Sequence, residues 1–190
     1  MLTANRQHFC LFDTDLGPCG VAWSEQGLTR LQLPEADGLA TERRLRQRSG
    51  NSAAEAPPPS IARVVASLQR YFAGEKVDFS ANTLDLTGVG TFYRKVYAAA
   101  RRVGWGETAT YGDLARQAGA PGAARAVGQA LSRNPVAVII PCHRILASGN
   151  KVGGFSAFGG TVSKQRLLGL EGVRIGAASA AGQLSLSEQW

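Results

Sequence analysis

The feature that most constrains the fold is a change of character near residue 88. Before it, residues 7–33 alternate short apolar stretches with turn residues, which predicts an antiparallel hairpin or meander. Apolar residues at helical spacing from Ile61 to Phe72 then predict a helix that ends near Gly74. After residue 88 the dominant spacing is helical. We therefore expect an α+β fold in three parts: an N-terminal antiparallel sheet plus helix domain (1–88), a mainly helical domain with a helix-turn-helix and an active-site cysteine loop (89–175), and a flexible tail (176–190).

One segment of the first part looks unlike a packed element. Residues 41–60 read TERRLRQRSGNSAAEAPPPS, rich in Arg and then in Ser, Ala and Pro. Such a composition is typical of a solvated chain. We expect a linker or long loop there.

The charge of the chain is uneven. Residues 1–88 carry 9 basic and 10 acidic side chains, whereas residues 89–190 carry 12 and 4. A concentrated positive charge favours a polyanionic partner, with nucleic acid the leading candidate and plain solubility the alternative. With 44% hydrophobic residues and no long uncharged apolar run, the composition excludes a disordered or membrane-spanning chain.

The cysteines indicate a reducing compartment. Cys10, Cys19 and Cys142 are too few for a disulfide framework, and the opening residues lack the order of a signal peptide. We expect a cytoplasmic, nucleoid-associated protein. His8, Cys10 and Cys19 lack a fourth ligand of the usual kind, so we expect no metal site there and interpret both cysteines as core residues.

Residues 110–135 carry the signature of a helix-turn-helix. Thr110 and Asp113 fit a helix cap, Gly119 fits its stop, and Pro121 suits the first turn of a second helix that Asn134 ends. The second helix is nearly free of large side chains around one arginine, so it could lie close in a DNA minor groove. An Ala-rich helix buried in the core is the alternative reading. The residues of this face are Ala123, Ala124, Arg125, Ala126, Gly128 and Ala130.

A reactive cysteine follows this motif. The apolar run VAVII (136–140) predicts a short buried strand that delivers Cys142, His143 and Arg144 at its end. A free thiol has a pKa near about 8.5, so a nucleophilic cysteine needs a base or a positive field beside it. Because neighbouring extended residues point to opposite sides, a water bridge from Cys142 to His143 is more plausible than direct contact.

Here the sequence resembles the methylated-DNA-protein-cysteine methyltransferases, the O6-alkylguanine-DNA alkyltransferases. Their active-site segment IPCHR stands at residues 140–144. The first half is similar to the family more loosely, through LGPCGVAW and LTRLQLP, and the resemblance implies a ribonuclease-H-like N-terminal domain. The other matching segments, in order, are GETATYGDLA (106–115), GAARAVGQALSRNP (122–135), IIPCHRI (139–145), VGGFS (152–156) and KQRLLGLEG (164–172).

The resemblance implies residue roles. Cys142, His143 and Glu171 match a Cys, water, His, Glu relay that makes the thiolate. Glu171 stands at the C-terminal end of a helix that starts near Val162. An acidic side chain is unfavourable at that end of the helix dipole, which favours a functional role for Glu171 over a structural one. Tyr111 matches the tyrosine that turns the 3′ phosphate and donates to the extruded guanine. The remaining matches are Asn134 as the hinge asparagine, Arg125 as the finger that fills the vacated stack, Ala123, Ala124, Ala126, Gly128 and Arg144 at the DNA interface, and Phe155, Ser156 and Lys164 in the guanine pocket.

Phe155 stands where many members have tyrosine, which leaves the tolerance for large alkyl groups open. The implied reaction is direct-reversal DNA repair. The alkyl group of O6-alkylguanine, with O4-alkylthymine as a further candidate substrate, moves irreversibly to Cys142 in a single turnover. No cofactor is expected, because the cysteine is itself the acceptor. The expected partner is double-stranded DNA bound through its minor groove with the damaged base flipped out; we expect no membrane contact and a monomer able to cluster along DNA.

Two other classes compete with this interpretation: a binding module, either recognition-only or regulatory, and a hydrolase. A recognition-only relative would bind alkylated DNA without repairing it, but such proteins lack the cysteine that stands here as Cys142. A transcriptional regulator would need a readable dimer interface. A Cys-His hydrolase would need a direct dyad, which the adjacent Cys142 and His143 suit poorly.

Overall fold

The computed structural model describes residues 7–50, 52–149 and 151–175, so the predicted tail at 176–190 lies outside the described residues. In chain order the elements are β1 (His8–Phe12), β2 (Cys19–Ser24), β3 (Gly27–Gln32), α1 (Gly38–Ser49), β4 (Ala53–Ala54), α2 (Pro59–Phe72), α3 (Thr91–Ala100), β5 (Ala109–Thr110), α4 (Tyr111–Gln117), α5 (Ala124–Ser132), a 3-10 turn (Cys142–Arg144), β6 (Ile145–Leu146) and α6 (Thr161–Leu170).

The first half forms the expected meander with one addition. Strands β1, β2 and β3 pair antiparallel in sequence order, which confirms the hairpin pattern. The two-residue strand β4 then adds to the outer edge of β1 in the parallel sense. The fold is α+β as predicted, and its larger sheet is mixed at this edge.

The linker predicted over residues 41–60 is wrong in its first part. Helix α1 occupies residues 38–49, and the Asp37 carboxylate caps it by accepting from the Ala40 amide at 2.7 Å. Its buried side chains, Thr41, Leu45 and Ser49, recur every fourth residue. Only Leu45 among them is a large apolar residue. The Arg-rich composition therefore indicated a solvated linker although one narrow side of the segment is buried as a helix.

The helix-turn-helix is present. Thr110 and Asp113 form a reciprocal capping box at the start of α4, as predicted. Helix α5 begins at Ala124, so Pro121 lies in the preceding turn rather than in the first turn of the helix. Val127, Ala130 and Leu131 bury one side of α5, and the other side stays accessible.

The strand predicted for residues 136–140 does not form. The segment turns tightly, with the Ile140 amide donating to the Val136 carbonyl at 2.9 Å and Val138 at a φ of 69°. That angle is left-handed and unfavourable for a β-branched residue, so surrounding contacts must hold it. The run is buried, and burial rather than extended backbone explains its apolar composition. The Leu31 amide of β3 donates to the Pro135 carbonyl at 3.0 Å and ties this turn to the sheet.

A single cluster of buried residues links the two halves. It includes Leu31 and Leu68 from the first half and Val96, Ile140 and Leu167 from the second. Cys19 is fully buried in it, as predicted, and Cys10 packs against it half-buried. Among the described residues, no helix has both the length and the apolar character needed to cross a membrane.

Candidate active site

Cys142 is the first residue of the 3-10 turn, and an asparagine side chain donates a hydrogen bond to its thiol. Cys142 is 7% exposed. The Asn134 amide donates to its Sγ at 3.2 Å and to the Ile140 carbonyl at 2.8 Å, while its Oδ1 accepts from the Val136 amide at 2.9 Å. Burial raises the pKa of the Cys142 thiol, and the Asn134 hydrogen bond and the Lys164 charge oppose that rise. Asn134 thus fixes the turn and stabilises a thiolate at once.

The neighbouring imidazole is poised as a base. His143 is fully buried, and its Nε2 lies 2.7 Å from Glu171 Oε1. Burial lowers the pKa of His143 against the raising effect of Glu171, so the neutral ring is favoured. A neutral ring beside a carboxylate carries its proton on Nε2, which leaves Nδ1 as the basic nitrogen. Nδ1 is buried and has no hydrogen-bond partner among the described residues.

The Glu171 carboxylate is the centre of the network. Arg144 donates to it twice, from Nε to Oε2 at 2.8 Å and from Nη2 to Oε1 at 2.9 Å. The Tyr71 hydroxyl adds a bond to Oε1 at 2.7 Å, and the Gly106 amide one to Oε2 at 3.3 Å. Burial alone would raise the pKa of Glu171, but the bonds from His143, Arg144 and Tyr71 bring it down to about 2. The hydrogen bonds from these donors outweigh the unfavourable interaction between the Glu171 carboxylate and the C-terminal end of the helix dipole, which the sequence indicated.

Tyr71 is the participant that sequence reasoning missed. It comes from α2 in the first half, is fully buried, and its hydroxyl also lies 3.2 Å from His143 Nε2. The Tyr71 ring packs edge-on against Trp105 and Phe72. The available signal was weak: a tyrosine in a buried helical stripe needs a partner for its hydroxyl, but nothing in the sequence says which.

The prediction that Arg144 contacts DNA is wrong. Arg144 is 7% exposed, and besides its two bonds to Glu171 it donates from Nη1 to the Val103 carbonyl at 2.6 Å. Its guanidinium is therefore engaged inside the protein, which leaves it unable to reach a phosphate. Arg144 instead holds the acid of the relay in place.

A pocket of about 360 Å³ opens onto the thiol. It brings together four predicted site residues, Tyr111, Gly128, Phe155 and Ser156, beside Cys142. Lys164, predicted to line the pocket, lies behind it instead. The ammonium of this fully buried residue donates to the Ile145 carbonyl at 2.5 Å and lies 5.8 Å from the Tyr111 ring centre. Burial lowers the pKa of Lys164 to about 8. The remaining lining residues are Leu131, Ser132 and Gly154.

The accessible side of α5 carries the predicted interface residues. Arg125 is exposed, whereas Ala123, Ala124, Ala126 and Gly128 are each partly exposed. The arginine therefore projects from a smooth surface, and the buried alternative applies only to the opposite side of the helix. Gly128 also lines the pocket, so this helix surface and the thiol share one edge.

No cluster of potential metal ligands occurs within residues 7–50, 52–149 and 151–175. His8, considered with the two N-terminal cysteines, is instead within ion-pair reach of Glu55. The N-terminal cysteines thus have no ligand set around them in the described part of the chain.

A helix-turn-helix beside a buried cysteine, histidine and glutamate defines a class of protein: one that presents its own thiol, with an imidazole held by a carboxylate next to it, beside a helix pair. Models of two domains identify the family within this class. The ribonuclease-like domain of 6-O-methylguanine DNA methyltransferase matches residues 8–86, and its DNA binding domain matches residues 91–173. The chain belongs to the 6-O-methylguanine DNA methyltransferase family.

Individual relatives agree with this assignment. The chain is 40% identical over 164 residues to the methylated-DNA-protein-cysteine methyltransferase of Mycobacterium leprae, covering 86% of this chain and 92% of that protein. With the protein of the same name from Mycolicibacterium paratuberculosis, identity is 46% over 114 residues, or 60% and 67% of the two chains. The crystal structure of Mycobacterium tuberculosis OGT in complex with DNA superposes with a TM-score of 0.70 at 37% identity, covering 86% and 92%.

Proposed function

We propose that this protein repairs DNA by direct reversal, moving the alkyl group of O6-alkylguanine to Sγ of Cys142. The observation that carries the assignment is the combination of a thiol open to a pocket and a neutral imidazole whose Nδ1 is the free base. The names of the relatives and the DNA in the M. tuberculosis OGT structure support DNA as the partner.

The chemistry begins with a proton transfer. His143 Nδ1 takes the Cys142 proton through a bridging water, and the resulting imidazolium is stabilised by Glu171 at Nε2. Asn134 and Lys164 stabilise the thiolate that remains. A buried ion pair of this kind is favourable only when its hydrogen bonds are satisfied, and the five donated bonds on Glu171 meet that condition.

The thiolate then displaces the base in line. A bond forms between Sγ and the alkyl carbon as the bond from that carbon to O6 breaks, and its electron pair goes to the guanine. The Tyr111 hydroxyl at the pocket wall donates its proton to the departing guanine, and the proton that His143 took from Cys142 then passes through water to restore that hydroxyl and the neutral imidazole. The thioether has no hydrolytic exit, so each molecule reacts once and no cofactor takes part.

The base must leave the stack to reach a thiol that is 7% exposed. We infer that α5 lies in the minor groove, where its small residues allow close approach, and that Arg125 fills the gap left by the flipped base. Arg125→Ala should then slow repair of duplex DNA more than reaction with free O6-benzylguanine. Equal losses would contradict the finger role, and Arg116→Ala on α4 provides a charge-matched control.

The central test is mass spectrometry after mixing the protein with a duplex that holds one O6-methylguanine. We expect one added methyl group on the peptide carrying Cys142 and an equal loss of the lesion. Cys142→Ala should bind the duplex without reacting, whereas Cys19→Ala should still react, because the Cys19 thiol is buried in the core. Tight lesion binding without any mass change would assign the protein to the recognition-only class.

A further inference from the structure

Four arginines in one region form no salt bridge within the described residues, and the nearby Glu35 carboxylate only partly offsets the effects that lower the pKa of Arg48. The side chains of Arg30, Arg44, Arg48 and Arg133 form no ion pair or hydrogen bond with any described residue. Arg46, on the same helix as Arg44 and Arg48, is instead paired with Glu42. We call the four unpaired residues the arginine cluster.

Three members come from the first half and lie close together. Arg44 and Arg48 are one turn apart on α1, both exposed, and Arg30 lies on β3, against which α1 packs. The Nε of Arg30 is buried without a partner among the described residues. Burial and the charges of Arg48 and Arg44 lower the pKa of Arg30 to about 10. Like charges held together in this way are stabilised when an anion binds among them.

The cluster adjoins the recognition helix and the thiol. Arg133 caps the C-terminal end of α5, and the bond between the Leu31 amide and the Pro135 carbonyl places β3 beside that end. Arg48 shares a crevice with Asn134, Cys142 and Ser156. Cys142 and Ser156 also line the pocket that opens onto the thiol. Arg48 therefore lies in one crevice with residues of the pocket that would receive a flipped base.

We propose that the arginine cluster is a phosphate-binding surface through which the N-terminal half grips the backbone of the lesion-bearing strand. The inference rests on the proposed function, since it presumes DNA at α5. Free guanidinium groups suit phosphate oxygens in geometry and charge. The first half has a net charge near zero, so its contribution to binding is local to the cluster.

The test compares two double variants of equal charge. Arg44→Ala/Arg48→Ala removes two exposed members of the cluster. Arg43→Ala/Arg63→Ala is the control, because both of its residues are exposed and unpaired in the described chain and lie outside the cluster. The affinity for an undamaged duplex, short enough for one protein molecule, is measured across a salt series by fluorescence anisotropy. Each phosphate contact contributes about 0.9 to the slope of log affinity against log salt.

We expect the Arg44/Arg48 variant to lose about 1.8 from the slope and to bind roughly tenfold more weakly per lost contact at 0.1 M salt. The control should keep the wild-type slope. An unchanged slope would overturn the proposal, and so would a loss confined to cooperative binding on long DNA, which would assign the cluster to contacts between protein molecules. Alkyl transfer from free O6-benzylguanine should be intact in both variants, and its absence in the wild type would count against the proposed function instead.

Discussion

Replacing Tyr71 by phenylalanine tests the link between the first half and the relay. The variant keeps the buried ring but removes the hydroxyl that donates to Glu171 Oε1 at 2.7 Å. A hydrogen bond to a charged group contributes about 1.5–3 kcal/mol, and the carboxylate retains its bonds from His143, Arg144 and Gly106. Without the hydroxyl the pKa of Glu171 rises, the carboxylate attracts the imidazolium more strongly, and the pKa of His143 rises with it.

The consequence appears in the pH dependence of alkyl transfer. A protonated His143 cannot accept the thiol proton, so the acid limb of the pH-rate profile should move to higher pH. If half of the lost energy is expressed at the imidazole, the shift is about 0.5–1 pH unit. The assay is the second-order rate constant for O6-benzylguanine measured from acid to neutral pH.

Tyr97→Phe is the matched control, because it removes another buried hydroxyl, one that donates to the Ala130 carbonyl at 2.8 Å rather than to Glu171. The Tyr97→Phe variant should have a lower free energy of unfolding but the same pH-rate profile of alkyl transfer as the wild type. A Tyr71→Phe profile that superposes on the wild type, or an equal shift in both variants, would refute the reasoning.

Three further predictions concern the same site. Asn134→Ala removes the amide bonded to Sγ, so transfer should slow by about tenfold or more at neutral pH while duplex affinity, followed by anisotropy, is unchanged. Lys164→Met removes the charge that lowers the pKa of Cys142, so iodoacetamide should alkylate Cys142 more slowly, as peptide mass spectrometry would show. Because the pKa of Glu171 is lowered from 4.5 to about 2, its ionisation stabilises the folded protein above pH 4.5, and this stabilisation is lost as the pH falls toward about 2. The difference in free energy of unfolding between the wild type and Glu171→Gln, measured by urea unfolding, should therefore decrease over that range.

Local chemistry was readable from the sequence. The capping box of Thr110 and Asp113 and the meander strands depend on neighbours within a few residues, so pattern alone placed them. The resemblance to a known family placed Cys142 beside Tyr111, Phe155 and Ser156 around one pocket.

Long-range contacts were not readable. Tyr71 meets Glu171 across 100 positions, and no spacing rule connects them. Arg144 has the charge of a DNA contact, and only the burial of its partner turns it inward. Helix α1 was hidden because a narrow stripe centred on Leu45 buries it, while its other residues are those of a solvated chain.

The hydrogen-bond donors that meet at Glu171 come from distant parts of the chain, and this has a consequence for a protein that reacts only once. The donors come from α2, from the loop at Gly106 and from the 3-10 turn, and the carboxylate itself ends α6. A nascent or partly folded chain does not bring these groups together, so it lacks the Glu171-held imidazole that accepts the Cys142 proton. The proton acceptor for the single-use sulfur is therefore complete only when α2 of the first half and α6 of the second half have both packed around it.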